Sequence, residues 1–219
     1  MKPIASTAIT TAIASALSLA VLLPVTASAD EMAMSAPPSG SAKVVAADAA
    51  IRGLWHDHIF WVRNVVVATL GKRPAAAKAA EAQVVVNAHA IADSIKPFYG
   101  DAAGEALFPL LAGHYGAIKE YLTATAAGDK KGQDKATDDL MANADKIATF
   151  LSGANPNLPK DAVLGMLQAH GGHHIAQIQE LKAGQYDAEA KNWADMEEHM
   201  NMIADALTGA IAKQFPDKF

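Results

Sequence analysis

The 219-residue chain carries 18 Lys and Arg against 23 Asp and Glu, a formal net charge of -5, and no cysteine. A mildly acidic chain is a poor partner for nucleic acid, whose recognition runs on clustered Lys and Arg. The missing cysteines exclude disulfides, thiolate metal sites, c-type haem attachment and a lipoprotein anchor.

Residues 1–29 have the anatomy of a secretory signal peptide. Met1-Lys2 gives a short positive start, and Ala12 to Val25 is an apolar run broken only by Ser15, Ser18 and Pro24. Ala27-Ser28-Ala29 then supplies a small-x-small cleavage site. The apolar run is too short for a membrane span, so the expectation is a periplasmic or secreted protein with no stable membrane anchor after cleavage. Losing Lys2 takes the net charge to about -6. Residues 30–45 follow as a flexible Pro/Ser/Met leader, in which Met32 and Met34 are conceivable soft metal ligands but fit better as plain leader.

From Ala46 to Phe219 the chain reads as one all-α domain. Apolar residues recur at three- and four-residue steps, alanine is abundant, and no alternating strand pattern stands out. Breakers at Gly71/Pro74, Pro97/Gly100, Gly128-Asp129, Asn155–Pro159 and Gly184 divide it. Six helices are predicted, over 46–70, 75–96, 102–127, 130–152, 160–183 and 187–214.

These six helices read as three tandem hairpins with a 56-residue internal repeat. At that offset His58, His114 and His170 coincide on the odd helices, and Asn87, Asn143 and His199 on the even ones. Ile91, Ile147 and Ile203 match too, each followed by alanine. So do Ile51/Leu107/Val163 and Leu54/Leu110/Met166 around the odd-helix histidines. Many coincidences at one offset argue for duplication. The histidines lie three and four residues from these apolar positions, hence on the buried stripe. In each copy the two polar residues stand at similar distances from the turn, so they should face each other and form one layer through a six-helix bundle.

That layer has a plain reading, in which each His bonds the facing Asn and fixes helix register. The third copy departs from it. His199 replaces Asn, and His174 sits where the other copies have Val62 and Ile118. Histidines at i and i+4 plus a third from a facing helix make a three-ligand metal constellation. The expected metal ligands are therefore His170, His174 and His199, with His58 and His114 completing the layer. His173, Asn87, Asn143, Asp195 and Met196 rank behind them. Neutral imidazole suits Zn, Cu, Ni or Fe, and thioether neighbours favour Cu(I), although methionine on such a stripe is usually core filler. Mid-helix glycines cost helix stability; Gly171 is peculiar to the third copy and either makes room beside the histidines or marks a kink, while Gly172 matches Gly116 and suits close helix approach. His56 and His89 read as solvated faces, and Trp55, Phe60 and Trp61 as packing aromatics.

The phrases "LWHDHIFWVR" (54–63), "NADKIATFLSGANPN" (143–157), "MLQAH" (166–170) and "KQFPDKF" (213–219) together resemble an uncharacterised bacterial all-helical family. The resemblance spans residues 51–219 and implies an all-helical domain. It also implies counterparts of His58, His114, Asn143 and His170, but an apolar residue and Thr in place of His173 and His174. Some members carry labels such as acetylglutamate kinase or glycosyltransferase. This chain has no G-x-x-x-x-G-K-[ST] loop and no strand-turn-helix phosphate cradle, so the residues do not support those labels.

The expected role is binding or buffering of a transition metal ion, Cu or Zn, rather than turnover, with no catalytic residue assigned. Asp195 is the nearest candidate base. Two alternatives stand beside it: a structural or interaction protein whose polar layer only sets register, and a non-covalent haem or di-iron bundle. The even helices lack the Glu-x-x-His set a di-iron site requires.

Overall fold

The computed structural model describes residues 40–219. The expected signal peptide, and most of the leader, lie outside the described residues. Among the described residues every regular element is helical. Six long helices carry the fold: α1 Ala42–Leu70, α2 Pro74–Ser94, α4 Asp101–Ala127, α5 Lys130–Ala154, α6 Lys160–Ala183 and α7 Tyr186–Gln214. A single turn, α3 Lys96–Tyr99, links α2 to α4, and a short 3-10 turn, Pro216–Lys218, ends the chain.

The bounds follow from local chemistry. The first helix starts at Ala42, four residues before the expected 46, because the Ser41 hydroxyl accepts the Val44 N–H and caps it. Asp129 caps α5 in the same way through Gly132. Pro74 stands in the first turn of α2, where its missing N–H costs nothing. The α1–α2, α4–α5 and α6–α7 turns each place one residue in the left-handed region: Lys72 at φ 55°, Gly128 at 72° and Gly184 at 72°. Behind each, an N–H bonds the carbonyl five residues back: Arg73 to Ala68, Asp129 to Ala124 and Gln185 to Glu180. The sequence points to Gly71 in the first turn, yet the left-handed residue there is Lys72.

Each hairpin packs on itself, and its flanks pack on the next: α2 on α4, α5 on α6, and α7 back on α1. The ring therefore closes, with α1, α4 and α6 meeting one another inside it. Arg63 on α1 seals the last contact with two hydrogen bonds, 2.6 and 2.8 Å, to the buried Glu189 carboxylate on α7. At one end of the ring the Asn155 side chain donates to the Tyr99 hydroxyl at 2.9 Å, which donates to Gln214 at 2.8 Å. Gln214 in turn reaches the Ala154 carbonyl at 3.0 Å.

Two apolar clusters fill the interior. One gathers Ile59, Ile147, Val163, Met166, Met196 and Ile203. The other gathers Val62, Val66, Val84, Ile118, Leu140 and Ile178. On α6 the first cluster ends at Leu167 and the second resumes near Ile178. The histidines occupy the gap between them.

Candidate metal centre

The inner helices α1, α4 and α6 bring four imidazoles to that gap. His58, His114, His170 and His174 are 7, 4, 2 and 1 % exposed. His170 and His174 stand one turn apart on α6, ring centroids 4.5 Å apart and nearly perpendicular. His58 reaches in from α1, 5.6 Å from His170 and 5.9 Å from His174. His114 stacks on the other side of His170 at 5.5 Å and 14°. A ligating nitrogen from each of His58, His170 and His174 lies within 4.8 Å of the other two. Among the described residues this is the one group of three His, Cys or carboxylate side chains at such spacing, and it contains no carboxylate. Ligands around a tetrahedral ion at about 2.0–2.1 Å stand roughly 3.4 Å apart.

The electrostatics suit a metal. Burial, then the neighbouring His114, pushes the His58 imidazole down to about 3. Burial holds His114 at about 4, partly offset by the Asn143 side chain beside it, although the two complete no hydrogen bond. His170 and His174 also fall well below the usual histidine range, through burial first and imidazole crowding second. All four are therefore neutral at pH 7, the form that ligates metal. Neither ring nitrogen of His114, His170 or His174 has a hydrogen-bond partner within the protein. Each such buried group costs about 1–3 kcal/mol, which ligation would recover at one nitrogen per ring.

His199 stands apart from this trio. Its Nε2 donates to the Met166 carbonyl at 2.8 Å, and its ring neighbours His173 at 5.4 Å. Asn87 and Asn143 make the same bond, to the Leu54 carbonyl at 2.9 Å and the Leu110 carbonyl at 3.1 Å. The three acceptors are the residues four before His58, His114 and His170. The expected His–Asn side-chain pairing is thus replaced by a side-chain-to-backbone bond, because a helical carbonyl keeps a second lone pair after its own ladder bond.

The remaining candidates lie elsewhere. His173 donates to Asn192 at 2.7 Å at the edge of the layer. Asp195 is exposed and paired with Lys191 at 2.6 Å. Met196 and Met200 are fully buried in the first apolar cluster. His56 is half-buried and donates to Asn201 at 2.9 Å. His89 is exposed and stacks on Phe108 at 3.7 Å. The α6 helix runs unbroken through both glycines. A methyl group at Gly171 would meet Leu140 at 3.0 Å, so this glycine admits α5 rather than making room for the histidines. Gly172, the expected close-approach position, faces open space.

Sequence spacing picks out the layer, but not which rings converge. The deciding fact is that the first helix of each hairpin, α1, α4 and α6, is inner and the second, α2, α5 and α7, outer, so His58 reaches His170 and His174 while His199 bonds the Met166 carbonyl of α6. The Arg63–Glu189 pair and the Tyr99–Asn155–Gln214 chain escaped the sequence reading. Tyr99 and Asn155 do stand 56 residues apart, a signal that could have found them.

No protein-family model, curated protein or solved structure matches this chain.

Proposed function

We propose that this is an exported protein that binds a transition metal ion, Cu or Zn, on His58, His170 and His174, for binding or buffering rather than turnover. The carrying observation is three buried, neutral imidazoles with nitrogens within 4.8 Å of one another. An all-imidazole set selects Zn or Cu over Mg or Ca, which require oxygen ligands. The trio contains no carboxylate to act as a general base and is deeply buried, which favours holding an ion over turnover. Export rests on the N-terminal sequence of residues 1–29.

The test is isothermal titration of the metal-free chain with Zn(II), Cu(II) and Cu(I). One equivalent binding at micromolar affinity or tighter supports the reading. No binding by the wild type overturns it.

A second reading is favoured by one observation of its own. The three bonds from Asn87, Asn143 and His199 each span 33 residues and repeat at an offset of 56, as do the left-handed residues Lys72, Gly128 and Gly184. This supports descent from a triplicated hairpin, in which the polar layer fixes register and the histidines need hold no ion.

A further inference from the structure

A largely enclosed cavity of about 80 Å³ runs between the inner faces of the hairpins, from the histidine layer towards Tyr99. His58, His114 and His170 line one end, and Tyr99 and Ala154 the other. Between them the walls are aliphatic and aromatic, Leu111, Ile147 and Leu151 among them. From the level of His58 to that of Ile51 is seven residues, about 10 Å of helix rise. The Tyr99 end is polar only in name, since its hydroxyl is already engaged by Asn155 and Gln214.

The histidine end is different. His114 is 4 % exposed, lines the cavity, lies outside the ligand trio, and has no protein partner for either ring nitrogen. Its polar neighbour, Asn143, already gives an N–H to Leu110. A neutral imidazole has one N–H donor and one acceptor lone pair, and each goes unused here at a cost. The cavity thus joins an apolar barrel to buried polar groups lacking a protein partner, the His114 and His170 rings and the Tyr115 hydroxyl, of which His114 lies outside the trio.

We propose that this cavity is a binding site for a small uncharged molecule with a short apolar body and a single polar head, of the class of short-chain alcohols, its head on His114 and its body between Leu111, Ile147 and Leu151. Size and charge set the class. A cavity of about 150 Å³ takes benzene, so 80 Å³ takes about three or four heavy atoms. A charged head is excluded because no cation or carboxylate lines the cavity to compensate its burial. The site borders the metal reading, since His58 and His170 also line the cavity, but His114, which takes the head, is outside the trio.

The test titrates the metal-free full chain with 1-propanol, propane and propionate while recording side-chain methyl and imidazole NMR signals. Saturable binding of 1-propanol is expected, with shifts at Leu111, Ile147, Leu151 and His114, about tenfold tighter than propane, and no binding of propionate. His114→Phe should remove the preference for propanol while keeping propane. His174→Ala should leave propanol binding unchanged, whatever it does to metal binding. Failure of 1-propanol to saturate these signals overturns the proposal, and so does equal affinity for propane and propanol. The wild-type comparison decides the matter even if the His114 variant does not fold.

Discussion

The Nε2 atom of His199 lies 2.8 Å from the backbone oxygen of Met166, the position taken in the other hairpins by the Asn87 and Asn143 side-chain amides. A histidine here does the work of an asparagine, tying an outer helix to an inner one. The nitrogens that could hold a metal ion, on His58, His170 and His174, belong to the inner helices instead.

His199→Asn should therefore preserve that bond and change metal affinity by less than about tenfold, whereas His199→Ala should cost about 1 kcal/mol of stability. His58→Ala and His174→Ala should each weaken binding by at least about a hundredfold, since loss of a supporting residue alone costs 10–100-fold. Titration calorimetry and urea unfolding of the four variants separate the two roles. A collapse of affinity in His199→Asn would assign it to the site after all.

The two central glycines of α6 should respond oppositely to alanine. At Gly172 the new methyl meets nothing within 4 Å, so Gly172→Ala should stabilise by up to about 1 kcal/mol through helix propensity alone. At Gly171 it meets Leu140 at 3.0 Å, and the gain should be cancelled or reversed. Thermal melting of the pair reads the difference directly.

Lys72 holds a left-handed φ of 55° where the later turns have glycine. A side chain there costs roughly 1 kcal/mol. Lys72→Gly should raise stability by about that amount, and Gly128→Ala should lower it similarly, as denaturant midpoints will show.

Acid should unfold the metal-free protein early. His58 and His114 titrate at about 3 and about 4 when folded, against about 6.5 unfolded. The depressed folded values mean that only the unfolded chain takes up these protons between pH 6.5 and 4. Stability is thus full above about pH 6.5 and falls as pH drops, by about 1.4 kcal/mol per pH unit for each such histidine. His170 and His174 add to the slope in the same direction. Asp205 opposes it: burial raises its carboxyl to about 6, so the folded state gains a proton there as pH falls below 6. One carboxyl does not outweigh four imidazoles. Urea midpoints should therefore hold from pH 7.5 to about 6.5 and decline from there to pH 5, and a flat profile throughout would contradict the burial of the layer.

Helix existence and bounds were legible because apolar spacing and Gly/Pro punctuation act locally. The layer was legible because a 56-residue offset puts like residues at like heights on their hairpins. Ring convergence was not, since it depends on which helices turn inward, a property of the closed ring. His58, on α1, is 112 residues from His170, and only packing brings them together. Lys72 escaped for another reason: the neighbouring Gly71 is the obvious breaker, but hydrogen bonding sets the turn one residue later.

Anomalous diffraction from crystals of the zinc- or copper-loaded protein, collected at the metal edge, tests the central claim most directly. The account predicts one strong peak enclosed by His58, His170 and His174. A layer without a peak, or a peak only at histidines outside the trio such as His56 or His89, would contradict it.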